Sequence, residues 1–263
     1  MIQFISLGGA NEIGANSYYL NLGGRGILLD AGQHPRRRDS RMFPNIEYIK
    51  ERTIDSIIIS HAHIDHIGAL PFYLKLFPHL RPFMTVPTAY LSQIMLRNSY
   101  HLLKTEYNIE PAYYDTTFVD MLFNVTKPYP YQEEFNLIPF RYPSEKNISC
   151  TFYEAGHILG SASSLIKYGD TNILYTGDIC RVNQTLIPGI NLPKENIDIL
   201  IIESTSAEEE TIPKSRREII KEFITAVSEV LRSGGSVLIP VFALGKSQEI
   251  LNILHKAMND NQL

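Results

Sequence analysis

Cysteine, long apolar runs and surplus basic charge are all scarce in this 263-residue chain. Its two cysteines, Cys150 and Cys180, are too few for a disulfide framework and lack the spacing of a metal-binding pair, so they read as reduced thiols. The longest apolar runs, such as Ile199-Leu200-Ile201-Ile202, are far too short to cross a bilayer, so no membrane span is expected. The opening MIQFISLGGANEIG shows no basic start, apolar stretch and small-residue cleavage site. No secretory signal is read there, and a cytoplasmic protein is expected. The net charge is −4, from 24 Lys and Arg against 28 Asp and Glu, which argues against a protein that coats nucleic acid with a basic surface. A nucleic-acid enzyme stays open, because bound divalent metals would be the largest local positive charges and are not in that sum.

What is present is an ordinary globular composition, 44 % hydrophobic and 20 % charged. Apolar β-rich runs cover Ile2–Leu7, Asn16–Leu22 and Gly26–Asp30, and Ile54–Ser60 has the continuous apolar character of a strand buried on both faces. Helices are predicted over Ala69–Phe77 and Pro87–Leu103, and strands at Ser149–Glu154, Ser163–Tyr168, Asn172–Thr176 and Asp198–Ile202. After residue 203 the texture changes. The run Glu208-Glu209-Glu210 leads to an amphipathic helix from Ser215 to Arg232, ended by Ser233-Gly234-Gly235. A strand over Ser236–Val241 and a helix over Ser247–Met258 complete the pattern of a second α/β unit.

The chemistry concentrates in His61-Ala62-His63-Ile64-Asp65-His66, directly after the buried strand. Alternate side chains in extended backbone point the same way, so His61 and His63 converge, and Asp65 and His66 follow where the next helix begins. Imidazole and carboxylate are the ligands zinc takes at catalytic sites, and four such groups exceed what one tetrahedral ion needs from a single segment. Two adjacent metals are the economical reading. Further donors sit at other strand ends: Asp30 after Gly26–Leu29, His157 between Gly156 and Gly160, and Asp178 after Tyr175-Thr176-Gly177. Loops beyond strand ends are where a rigid scaffold carries its chemistry.

The stretch His61–His66 matches the H-x-H-x-D-H signature of the metallo-β-lactamase fold, and Asp30, His157 and Asp178 fall in order on that superfamily's other motifs. The resemblance implies an α/β protein, a four-layer αβ/βα sandwich with two zinc ions at one edge. It implies that His61, His63 and His157 hold one zinc, that Asp65 and His66 hold the other, and that Asp178 bridges the two. Asp30 would orient ligands rather than bind metal.

The neighbouring text resembles the β-CASP branch, in its RNA-processing members: Gly8–Asn16, Gly68–Pro71, Ala155–Ala162, Leu200–Thr205 and Gly235–Glu249. That branch includes the endonuclease subunit of the eukaryotic cleavage and polyadenylation factor and its bacterial and archaeal relatives. The resemblance divides the chain into a metallo-β-lactamase domain at residues 1–206 and the start of a β-CASP domain at 207–263. It implies a zinc-dependent ribonuclease in RNA processing or decay, with catalytic roles for Asp65, Asp178 and Glu203 and single-stranded RNA as substrate. Two zinc ions about 3.5–4 Å apart would lower the pKa of a bridging water, whose hydroxide attacks phosphorus and leaves 5′-phosphate and 3′-hydroxyl ends. Glu203 would hold a histidine of the second domain. The chain departs from the family at Ser206-Ala207, where Tyr-Gly is usual, and it stops before the two later histidines that complete the second zinc site and serve as general acid. His255, in an amphipathic helix, is a poor substitute.

The basic run His34-Pro35-Arg36-Arg37-Arg38 lies just after Asp30, where Arg36, Arg37 and Arg38 could touch an RNA backbone. Gly245-Lys246-Ser247 is not a phosphate loop, because the glycine required five residues before Gly245 is Pro240. Two rivals stay open: a hydrolase of small thioesters or lactones, and a non-catalytic β-CASP scaffold. A homodimer or a paralogous β-CASP subunit is the partner the branch suggests.

Overall fold

The computed structural model describes residues 1–108, 115–138, 146–207 and 214–263. Among the described residues eleven strands are formed: β1 (Ile2–Gly8), β2 (Ser17–Leu22), β3 (Arg25–Leu29), β4 (Ser56–Ile58), β5 (Arg81–Thr85), β6 (Lys127–Tyr129), β7 (Glu134–Asn136), β8 (Ile148–Glu154), β9 (Ala162–Tyr168), β10 (Thr171–Tyr175) and β11 (Ile199–Ile201). Six α-helices accompany them: α1 (Ile64–Ile67), α2 (Leu70–Leu76), α3 (Val86–Thr105), α4 (Thr116–Val125), α5 (Arg216–Arg232) and α6 (Lys246–Asn259). None of these helices is long and apolar enough to cross a membrane.

The strands make two sheets. The first runs in the order β1-β2-β3-β4-β5-β6 and the second β11-β10-β9-β8-β7. In the first, β1, β2 and β3 pair antiparallel, and β3 to β6 continue in parallel. In the second, β8 and β10 both pair antiparallel with β9 and so point the same way, with β11 parallel to β10.

Two cores fix how these layers stack. Leu20, Ile27, Leu29, Ile58 and Phe83 of the first sheet meet Phe135, Ile148, Phe152, Ile166 and Ile173 of the second. On its other face the first sheet sends Tyr19, Leu28 and Ile57 into a cluster with Leu70 and Tyr73 of α2, Leu96 of α3 and Val119 and Leu122 of α4. Neighbouring Ile57 and Ile58 thus bury into opposite cores, which is why their strand reads as an unbroken apolar run. The result is mixed α/β with helices, sheet and sheet in layers.

Most expected elements form within a few residues of their predicted ends. Helix α3 starts where Thr85 accepts the Thr88 N–H at 3.3 Å, with Pro87 in the first turn, and α5 starts at a capping box of Ser215 with Glu218. One expectation fails. Residues 236–241 form no strand and join no sheet, and Leu238 is 93 % exposed. Local propensity favours a strand there, yet a strand exists only through a ladder, and no described strand pairs with it. Four elements were not predicted at all: α4, β5, β6 and β7. The three glutamates at 208–210 lie outside the described residues.

Candidate metal centre

Because the two sheets face each other with β3, β4, β8 and β10 ending along one edge, the loops after these strands meet. The Ala162 N–H donates to the Ser60 carbonyl at 2.8 Å, joining the second sheet to the end of β4. From this edge project Asp30, His61, His157 and Asp178.

Helix α1 carries Asp65 and His66 and is only four residues long, too short to satisfy its own carbonyls. Other loops do so. The N–H groups of Asn16, Ala31 and Gln33 donate to the carbonyls of Asp65, His66 and Ile64 at 3.0, 2.7 and 2.9 Å. This close approach needs Gly32, where a Cβ would stand 1.8 Å from the Asp65 carbonyl oxygen.

Three imidazole nitrogens converge in a first group of donors. His63 Nδ1 lies 3.1 Å from Nε2 of His61 and 3.1 Å from Nε2 of His157. The other His63 nitrogen, Nε2, faces the Leu244 carbonyl at 3.3 Å, so its proton belongs there and Nδ1 presents a lone pair. One lone pair can take a proton from only one neighbour, which leaves the trio unsatisfied by hydrogen bonds alone. A cation between them satisfies all three. Burial also drives His61 well below the usual histidine range and brings His157 down to about 4, so both are in the neutral form that metals bind.

A second group joins His61 and His66 with Asp178, and the ligand atoms of each trio lie within 4.8 Å of one another. Asp178 stands between the two groups. Its Oδ1 is 3.4 Å from His66 Nε2, while its Oδ2 is 3.6 Å from His157 Nε2 and 4.0 Å from His61 Nε2. Burial opposes ionisation of Asp178, but the His66 hydrogen bond and the surrounding histidine charges hold its carboxyl at about 2. Asp65 lies beside this group, with Oδ2 3.7 Å from His66 Nε2.

Asp30 touches neither trio's centre and instead fixes one member of each. Its carboxylate accepts the Ser60 N–H and hydroxyl, each at 2.7 Å, His66 Nδ1 at 2.7 Å and the Tyr175 hydroxyl at 2.5 Å. Burial lowers the proton affinity of His66, and the Asp30 and Asp178 carboxylates more than reverse this, raising its pKa well above the usual value. Ser60 Oγ, 3.0 Å from His61 Nδ1, passes the same anchoring to His61.

The remaining predicted residues lie around this core. Glu203 stays apart from both trios, and its carboxylate accepts the N–H groups of Ile179 and Thr205 at 3.3 and 2.8 Å, beside Asp178 in sequence. Arg37 is paired with Glu12 at 2.7 Å, and Arg38 lies over the Tyr107 ring with its Nη1 on the carbonyls of Pro35 and Arg37. Arg36 is exposed and is the arginine of the three turned to solvent. His255 sits on the exposed side of α6 against Asn259. Sequence reasoning missed Asn16, whose Nδ2 is 3.0 Å from His66 Nε2 and 3.5 Å from Asp65 Oδ2, as well as Ser60 and Tyr175. For Asn16 the signal was its place at the end of the glycine-rich Gly8–Gly14 segment.

Two layered sheets with histidine and aspartate donors at one edge define a mixed α/β scaffold with a candidate metal-binding site. The chain belongs to the metallo-β-lactamase superfamily, whose domain model matches residues 19–211. It is 35 % identical over 257 residues to an RNase J-like protein of Methanocaldococcus jannaschii, covering 97 % of this chain and 55 % of that protein. It is 35 % identical over 263 residues to the endoribonuclease YSH1 of Gibberella zeae, covering 96 % of this chain and 30 % of that one. An Integrator complex subunit 11 homolog of Dictyostelium discoideum is 31 % identical over 255 residues, with 95 % and 33 % covered. The chain thus spans about half the length of the first of these relatives and about a third of the other two. A crystal structure of a protein of unknown function from Enterococcus faecalis superposes with a TM-score of 0.57 over 87 % of this chain and 57 % of that one, at 15 % identity. That likeness concerns the fold alone.

Metal binding gives a direct expectation. A divalent metal that binds this donor set, present at 100 times its dissociation constant, is expected to stabilise the folded chain by about 2.7 kcal/mol, seen as a higher Tm against a chelator-treated control. An unmoved Tm at millimolar zinc would contradict the donor-set reading.

Proposed function

We propose that this chain is the metal-dependent core of a ribonuclease that hydrolyses RNA phosphodiester bonds and leaves 5′-phosphate and 3′-hydroxyl ends. The observation that carries the proposal is Asp178, which turns one carboxylate oxygen to each donor group, at 3.4 Å from His66 and 3.6 Å from His157. A carboxylate so placed suits a two-metal centre, and the names of the three relatives, an RNase J-like protein, an endoribonuclease and an Integrator subunit, favour RNA as the substrate.

His61, His63 and His157 would hold one zinc, and Asp65 and His66 the other, with Asp178 shared. Zinc, when bound, supplies the Lewis acidity and the acidified water that phosphodiester hydrolysis needs at neutral pH. The residues of this chain prepare the place for it. Asp30 fixes the His66 ring through Nδ1, so Nε2 points to the centre. Glu203 holds the segment after Asp178 by the Ile179 N–H. Arg36 is the candidate for a phosphate of single-stranded RNA, since Arg37 and Arg38 are engaged within the fold. Residues 207–263 would begin a β-CASP domain, with α5 and α6 as its first helices. A second copy or a paralogous β-CASP subunit would be the partner.

The test is cleavage of an end-labelled single-stranded RNA and its matched DNA by the zinc-loaded protein, beside Asp178→Ala. RNA cutting that leaves 5′-phosphate ends and is lost in the variant is the expected result. A zinc-loaded protein that cuts neither strand would overturn it.

A further inference from the structure

Glu249 is a carboxylate buried in α6 at 4 % exposure, and all its partners come from outside that helix. The Thr185 N–H, the Leu186 N–H at 3.1 Å and the Arg216 guanidinium at the start of α5 all donate to it. Arg216 also reaches the Thr185 hydroxyl at 3.1 Å. A buried carboxylate with a cation and two backbone donors is a strong, directional fastening, because removing it strands the partner charge. It ties α5 and α6 to the loop that follows Asp178.

Both ends of this fastening reach the first donor group. Five residues before Glu249, the Leu244 carbonyl lies 3.3 Å from His63 Nε2. That carbonyl sets which nitrogen of His63 keeps the proton and therefore which one is a donor. One residue before Thr185, the Gln184 amide donates to the Gly156 carbonyl at 2.7 Å and to the His157 carbonyl at 2.8 Å. The Gln184 side-chain oxygen accepts from Lys246 at 3.4 Å, closing the loop back to α6. Gly245, with φ +90°, packs so near Ile158 that a Cβ there would stand 2.6 Å from its Cγ2.

We propose that Glu249, Arg216 and Gln184 are positioning residues for the metal centre: the latch seats the start of α6 so that the Leu244 carbonyl fixes the His63 tautomer and Gln184 fixes the His157 loop. The second unit thereby sets the affinity of a site whose donors all belong to the first. This rests on the metal-binding reading of His61, His63 and His157.

The experiment titrates metal-free protein with cobalt(II), reading affinity and the visible absorption spectrum, for the unsubstituted chain, Glu249→Ala, Gln184→Ala and Leu103→Ala. Leu103 is buried in α3 away from the latch, so its variant loses stability without loosening it. Glu249→Ala and Gln184→Ala are expected to weaken cobalt binding by about 10–100-fold and to shift the absorption bands, as loss of an orienting partner does. Leu103→Ala is expected to keep both. Should Glu249→Ala not fold, Gln184→Ala decides, because it cuts only three side-chain hydrogen bonds at a partly exposed loop. Cobalt affinity and spectrum unchanged in Gln184→Ala, or weakened as much in Leu103→Ala, overturn the latch while leaving the metal site standing. An unsubstituted chain that takes up no cobalt overturns both.

Discussion

Asp178→Asn is expected to abolish measurable RNA hydrolysis while leaving the metal-free protein folded, with a Tm only several degrees lower. The substitution exchanges one oxygen for an NH2 group of nearly the same size, so packing is kept. What changes is the donor set. An amide nitrogen is no metal ligand, and the neutral side chain can no longer offer an anionic oxygen to His66 on one side and to His157 on the other. A catalytic metal supplies several kcal/mol of charge stabilisation, which at about 1.4 kcal/mol per tenfold amounts to roughly a thousandfold in rate or more. The folding cost is limited to the charge interactions that hold the Asp178 carboxyl at about 2, for two reasons. The Asp178 side chain is 26 % exposed, so its charge interactions are partly screened, and His66 keeps its buried counter-charge in Asp30. Cobalt titration and end-labelled RNA cleavage, run beside a thermal melt, separate the two effects. Activity within tenfold of the unsubstituted protein would remove Asp178 from the centre. A Tm drop matching the activity loss would make its role structural.

How far the sequence could be read depended on whether each feature was local. His61, His63, Asp65 and His66 are within six residues, and the buried strand before them announces itself through Ile57, Ile58 and Ile59. Helix α5 shows its start in Ser215 and Glu218 and its apolar stripe in Val227 and neighbours. Strands β6 and β7 are three residues each, too short for a period-2 pattern to emerge, and they exist because β5 and β8 offer edges to pair with. Residues 236–241 make the converse case, since the same apolar composition forms no strand without a neighbour.

The site divides along the same line. Donor residues could be listed because their types and strand-end places are visible one at a time. Their supports could not. Tyr175 reaches Asp30 across 145 positions in the chain, and Asn16 reaches His66 across 50. A tyrosine ending an apolar strand looks like core, and only the packing of two sheets turns its hydroxyl onto a carboxylate. Likewise, Arg36, Arg37 and Arg38 form one basic run in sequence, but the fold consumes two of them in contacts with Glu12 and Tyr107.

Asp30→Ala is expected to cost more stability than any other single change at the site, about 4 kcal/mol or more. Asp30 is fully buried, and its carboxylate is the common acceptor for the Ser60 N–H, the Ser60 hydroxyl, His66 Nδ1 and the Tyr175 hydroxyl. Removing it leaves these donors without a partner away from water, at about 1–3 kcal/mol for each one that cannot be satisfied elsewhere. The backbone adds to this. Asp30 has φ +60°, a left-handed conformation that Asp and Asn tolerate and that costs alanine about 1 kcal/mol. For a chain of this size each kcal/mol is worth roughly 2–4 °C, so a Tm loss of about 10 °C is expected. Asp30→Asn keeps the backbone preference and one acceptor oxygen, and should lose roughly half as much. Both variants free the His66 ring to turn, so cobalt affinity at the His66 side should fall by about 10–100-fold even under conditions where the protein stays folded. Urea unfolding of the metal-free variants reads the first effect and cobalt titration the second. An Asp30→Ala protein within about 1 kcal/mol of the original would mean that water reaches those donors, and that the fold does not depend on Asp30 to organise them.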